Sequence, residues 1–288
     1  MIFIVGTGRC GSSLTAQMLN AHSRVCVPHE LQILFEYSGN GSRLYEVFSS
    51  GLNKKFSAQD FISLFELRCP HRFDLFFDYK DFLTRQRYPI LDLRQLVVEL
   101  YNEIALSKNK SLLAEQTPWY GQRIDILESL FPGSKYIHLV RDGRDVAISY
   151  ARTPWWSNDV YENVVRWESE VAAILDASER YIEHNQILHV RYEDLVFHPK
   201  KFLLDICRHI GIDYELTMLD QNNFIDYAQY SKINSARISS SSFNLWRKNK
   251  KSTTFVGSSF AWKKSHTYDF SRNLSYVSDM LERFGYER

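Results

Sequence analysis

A strand that opens onto a glycine loop and then a helix limits what this chain can fold into more than any other feature. Residues 2–5, Ile-Phe-Ile-Val, form an apolar and mainly β-branched run with no polar alternation. That is the pattern of a strand buried on both faces of a parallel sheet. Gly6-Thr7-Gly8-Arg9-Cys10-Gly11-Ser12-Ser13 follows, and Leu14, Met18 and Leu19 then recur at helical spacing through Ala21. A tight turn between strand and helix aims successive backbone amides and a helix N-terminus at one point, which makes an anion site. Residues 24–27 read as a second strand stopped by Pro28, because proline cannot continue a ladder.

The alternation continues. Residues 111–114, 135–140 and 187–190 read as strands. Residues 123–131, 161–184 and 200–210 read as helices, the last closed by Gly211 as a C-cap. Asp145 is expected to cap a helix running through Ser149. Strands alternating with helices predict an α/β fold with a doubly wound parallel sheet. Between the second and third sheet strands, residues 31–110 carry Leu, Phe and Tyr at helical spacing, as in Leu93, Leu96, Val97, Leu100 and Tyr101. They are expected to be a mainly helical insertion on the acceptor side of the sheet. Residues 222–288 are a polar, basic tail ending in a short helix near 274–284, with a lid expected within it at residues 242–248. At 288 residues the whole fits a single domain, 1–288.

Charge and cysteine usage narrow the partners. The net charge of +1 offers no global field for nucleic acid or an anionic membrane, so any anion must be held locally. Cys10, Cys26, Cys69 and Cys207 form no CxxC pair, and the nine histidines include no HExxH. No metal site is therefore expected, and reduced thiols suit a cytoplasmic protein. With no basic n-region and no long apolar stretch, neither a signal peptide nor an integral membrane segment is expected.

The loop alone satisfies two nucleotide-binding patterns. Gly6, Gly11, Ser12 and Ser13 fit G-x-x-x-x-G-[K]-[ST], except that Ser12 stands where a lysine belongs. A triphosphatase needs that lysine on its β- and γ-phosphates, and here Arg9 carries the charge instead. Gly6, Gly8 and Gly11 also spell G-x-G-x-x-G, with Glu30 where a ribose-binding acid would stand, although no Tyr-x-x-x-Lys pair is present. A second anion site breaks the tie. Arg141 falls immediately after the strand 135–140, and Ser149 lies one helical turn beyond Asp145. A guanidinium matches phosphate as a bidentate fork.

Taken together these segments resemble the sulfotransferase superfamily, especially its tyrosylprotein and bacterial members. Residues 3–14 are similar to its 5'-phosphosulfate loop, residues 139–149 to its 3'-phosphate motif, and residues 190–199 with the helix ending Ile210-Gly211 to its third shared segment. The resemblance implies a P-loop-NTPase-like α/β core and 3'-phosphoadenylyl sulfate (PAPS) as co-substrate. It implies that Arg9, Cys10, Gly11, Ser12 and Ser13 hold the 5'-phosphosulfate, that Arg141 and Ser149 hold the 3'-phosphate, and that Tyr192 lies near the adenosine. It also implies a base just after the second strand. Glu30 takes that place, with His29 as second candidate because imidazole needs less help to reach a useful pKa. Arg9 is counted as catalytic too.

One position departs from the resemblance. Related enzymes often carry a lysine before a Thr-Pro or Asp-Pro step, where this chain has Gln116-Thr117-Pro118. Gln116 donates a hydrogen bond but brings no charge, so Arg9, or Arg247 or Lys248 of the tail, is expected to bear more of the charge stabilisation. The acceptor stays open among small-molecule, glycan, lipid and peptide hydroxyls. Three alternatives also stay open: a nucleotide kinase, an NAD(P)-dependent oxidoreductase, and a non-catalytic nucleotide binder.

Overall fold

The computed structural model describes residues 1–28, 30–31, 34, 55–57, 91–224, 259–265, 268–270 and 277–287. The expected lid at 242–248, His29, Cys69 and most of the 31–110 insertion lie outside them. Seven strands occur among the described residues: β1 (Ile2–Gly6), β2 (Val25–Cys26), β3 (Lys55–Phe56), β4 (Leu91–Asp92), β5 (Leu112–Glu115), β6 (Lys135–Val140) and β7 (Ile187–Arg191). Five form one sheet in the order β2-β5-β1-β6-β7, every pair parallel. β3 and β4 form a separate antiparallel pair in the insertion.

The helices are α1 (Ser12–Asn20), α2 (Leu93–Ser107), α3 (Ile124–Leu130), α4 (Gly143–Ala151), α5 (Val160–Tyr181), α6 (Tyr192–Phe197), α7 (Pro199–Ile210) and α8 (Ser278–Arg283). β1 is buried along its whole length. Phe3 and Val5 face α2 and α3 through Leu100, Leu127 and Phe131. Ile2 and Ile4 face α1 and α7 through Met18, Leu19, Leu203 and Ile206. The unalternated apolar run thus has its cause: both faces of the sheet are covered, so the fold is doubly wound as expected. Each such side chain contributes about 1.5–3 kcal/mol relative to exposure.

Local chemistry sets the helix ends. Asp92 and Gln95 close a reciprocal capping box at the start of α2, and Gly211 ends α7 in the left-handed region at φ 75°. One expectation is corrected: α4 begins at Gly143, and Asp142, not Asp145, caps it by accepting from the Arg144 amide at 3.0 Å. Gly143 looks like a turn residue in the sequence. It is instead the helix's first residue, where a Cβ would stand 2.4 Å from the Trp167 ring.

The strand order fixes where a ligand can go. From β1 the chain crosses to β2 on one side, while β6 lies on the other. The crevice beyond the carboxyl ends of β1 and β6 is the topological switch point, where open α/β sheets bind ligands. Gly6 is level with Leu139 there, so the segments after the two strands leave the sheet side by side.

Candidate active site

The segment after β1 is built to expose backbone. Gly11 caps α1 from the left-handed region at φ 99° and, as a glycine, offers the helix no side-chain cap. A Cβ at Gly11 would meet the Tyr192 ring at 2.3 Å, and one at Gly6 would meet the Leu139 carbonyl oxygen at 2.5 Å. Arg9 itself stands at φ 63° and Glu30 at φ 23°. Such non-glycine conformations cost on the order of 1 kcal/mol or more, and they persist at sites where the surroundings impose them.

The two loops after β1 and β6 are stitched into one cluster. Arg9 Nε donates to Ser149 Oγ at 2.9 Å, and Arg141 Nη1 donates to the Arg9 carbonyl at 3.2 Å. Arg141 lies over the Tyr192 ring, 4.8 Å from its centroid, and reaches Asp145 at 3.4 Å. Burial, then the charge of Arg141, hold the Arg9 guanidinium below its usual pKa, against which Glu30 pulls upward. Two cations so placed repel each other, and a dianion between them removes that repulsion. Glu30 is thus near enough for its charge to act on Arg9.

The remaining loop residues divide by burial. Ser13 is exposed. Ser12 is buried and its hydroxyl accepts from Gln116 Nε2 at 3.1 Å. Gln116 follows β5, is 1% exposed, and leaves its Oε1 without a partner. A buried acceptor left so costs about 1–3 kcal/mol. Cys10 is fully buried in the core beneath the loop, and burial pushes its thiol up to about 11. Its side chain is therefore core, which leaves only its backbone for the cofactor-binding role expected of it.

The rest of Arg141-Asp142-Gly143-Arg144-Asp145 is scaffold. Arg144 forks onto Asp142 at 2.9 and 2.8 Å and lies 3.6 Å above the Trp262 ring. Trp262 Nε1 donates to Asp142 at 3.0 Å, and its backbone amide donates to Asp145 at 2.9 Å. Burial raises the pKa of Asp145 although Arg141 opposes it. Tyr286 donates to Glu193 at 2.7 Å, and Glu193 accepts the Asp142 amide at 3.2 Å. None of this bracing was visible in sequence, since Trp262 lies 117 residues from Asp145 and Tyr286 lies 93 from Glu193. A second arginine and a second aspartate within one ligand-binding motif were the available hint.

The structure thus brings Arg9, Ser12, Arg141, Ser149 and Tyr192 to the switch point, with Glu30 in electrostatic reach. His29 lies outside the described residues, as do Arg247 and Lys248. Among the described residues no group of three or more His, Cys, Asp or Glu side chains is arranged to hold a metal ion. No helix there is long and apolar enough to cross a membrane.

Comparison with known proteins agrees with this geometry. The profile described as the sulfotransferase family matches residues 2–216. Protein-tyrosine sulfotransferase A of Caenorhabditis elegans is 24% identical over 180 residues, covering 61% of this chain and 45% of that protein, so the match spans less than half of the worm protein's length. The omega-hydroxy-beta-dihydromenaquinone-9 sulfotransferase Stf3 of Mycobacterium bovis is 22% identical over 275 residues, covering 82% of this chain and 69% of that protein. Among solved structures, the sulfotransferase domain of the Synechococcus PCC 7002 olefin synthase superposes with a TM-score of 0.64 at 24% identity, covering 100% of this chain and 95% of that one. The sulfotransferase domain of the curacin biosynthetic pathway gives the same TM-score at 22% identity, covering 100% and 98%. At these identities the superpositions establish the fold.

Proposed function

The chain belongs to the sulfotransferase family, and from that premise we propose that it moves the sulfuryl group of PAPS to an acceptor hydroxyl by in-line displacement. PAPS, when bound, supplies the sulfuryl group and leaves as adenosine 3',5'-bisphosphate. The observation that carries the reading is the 2.9 Å bond from Arg9 to Ser149. It joins two loops that each carry an arginine, as a ligand with anionic groups on both the 3' and 5' positions of its ribose requires. A triphosphate with magnesium is less well served, because buried Ser12 occupies the place of the loop lysine.

In this reading the α1 amides, Ser12 and Ser13 hold the 5'-phosphosulfate, and Arg141 and Ser149 hold the 3'-phosphate. Tyr192 backs the nucleoside. Arg9 neutralises charge that builds on the bridging oxygen, the electrostatic contribution that dominates such transfers. Glu30 takes the acceptor's proton, with His29 as the second candidate. The insertion would present the acceptor. Its class stays at small-molecule, glycan, lipid or peptide hydroxyls, a range that spans the protein-tyrosine and dihydromenaquinone sulfotransferases named above. Free Cys10, Cys26 and Cys207 support a reducing, cytoplasmic setting.

Thermal unfolding with added ligand tests the donor. Adenosine 3',5'-bisphosphate at saturation should raise the melting temperature by several kelvin. Stabilisation by ATP-magnesium or NAD, but not by the bisphosphate, would overturn the reading.

A further inference from the structure

We propose that Gln116 is a positioning residue, which by donating to Ser12 Oγ fixes the direction of the Ser12 hydroxyl proton toward the phosphosulfate oxygens at the N-terminus of α1. The inference rests on the donor reading above. A serine hydroxyl has one proton and two lone pairs, and an amide nitrogen can only donate. With Gln116 Nε2 at 3.1 Å from Ser12 Oγ, one lone pair is filled and the proton must point elsewhere. The Cys10 sulfur is also within hydrogen-bond reach of that hydroxyl, but it is a weak acceptor. An anionic oxygen arriving at the N-terminus of α1 accepts more strongly and takes the proton from it.

The second observation is what Gln116 leaves undone. Its Oε1 is buried with no partner, so the amide weakens the folded state where an apolar side chain of equal length would not. A buried amide kept at such a cost, with only its nitrogen in use, is held for what that nitrogen does. Gln116 therefore acts on the ligand through Ser12 and supplies orientation without charge.

The test is a double-mutant cycle read by calorimetric titration with adenosine 3',5'-bisphosphate, with a melting curve for each protein. Gln116→Met should melt no lower than wild type, because the partnerless oxygen is gone. Gln116→Met and Ser12→Ala should each bind about tenfold more weakly, the scale of one hydrogen bond to an anion. The double variant should bind no more weakly than Ser12→Ala alone, since Gln116 has nothing left to orient. A purely structural role moves the melting curve and leaves the cycle additive. Losses that multiply in the double variant overturn the inference, as does unchanged binding by Gln116→Met, which would mean the amide faces Ser12 with its oxygen. If Gln116→Met does not fold, Gln116→Glu carries the same cycle. Its carboxylate accepts the Ser12 proton, so binding should fall at least as far. A wild-type chain that binds no bisphosphate removes the donor reading and the inference together, an outcome distinct from binding with additive losses.

Discussion

Arg9 combines three demands that seldom meet in one residue. It holds a left-handed backbone conformation, a guanidinium lowered in pKa by burial, and a hydrogen bond to another loop. Glu30 shares the first of these and is coupled to Arg9 by charge. Exchange at the two positions should therefore separate binding from turnover. Arg9→Ala should weaken bisphosphate binding about 10- to 100-fold, because charge-assisted bonds to phosphate are lost. Glu30→Gln should leave that affinity within about twofold and lower turnover about 10²- to 10⁴-fold, the range of a general base. Titration and a sulfate-transfer assay on the same preparations check both, and normal transfer by Glu30→Gln would pass the role to another residue. Arg9 stands out in the glycine loop as its one charge, whereas Glu30 as a base was implied by the family resemblance. Their backbone strain could not be read, since nothing in a sequence reports φ for an arginine or a glutamate.

At the scale of elements, the strand and helix pattern was readable over most of the described residues because apolar periodicity records burial. β1, α3, β6 and α7 appear within a residue or two of expectation. What escaped was short or set from a distance. α6 is six residues long, and β3 and β4 are two each, too brief to show a period. The cap of α4 was misplaced because Gly143 suggests a turn until Trp167 is seen against it. Asp142 is consequently a joint as well as a cap, tied to Arg144 and Trp262. Asp142→Ala should lower stability by roughly 2–4 kcal/mol. The loss combines a missing cap of about 1–2 kcal/mol with the stranding of buried Arg144, a penalty of similar or larger size. Denaturant unfolding measures it, and a change under 1 kcal/mol would show that the joint is redundant.

The whole molecule carries a titratable seam in its sheet. His138 and His189 face each other across β6 and β7, one ring's Nδ1–H donating to the other's Nδ1 at 2.9 Å. Phe284 packs against both rings. Burial and then His189 hold His138 well below its usual pKa, while burial and then Arg283 lower His189. The folded chain thus keeps His138 neutral, whereas the unfolded chain takes a proton near pH 6.5. This contribution is fully present above about pH 6.5 and is lost as the pH falls, by up to about 1.4 kcal/mol per unit. Buried Asp145 and Glu193, both raised in pKa by burial, act in the opposite sense, so the comparison needs a variant. Stability measured from pH 7 to pH 5 should fall more steeply for wild type than for His138→Leu, and parallel curves would dismiss the seam.

The brace between the Asp142–Asp145 turn and Trp262 bears on where such a protein can be divided. The family profile ends at residue 216, and every recognisable motif lies before that point. A fragment cut there would still encode Arg9, Ser12, Arg141, Ser149 and Tyr192. It would nonetheless lose the indole that carries the Arg144 guanidinium and the amide that pins Asp145. Recognition and modularity therefore part company in this chain: the stretch by which it is identified is shorter than the stretch that can be moved to another protein and keep its site in order.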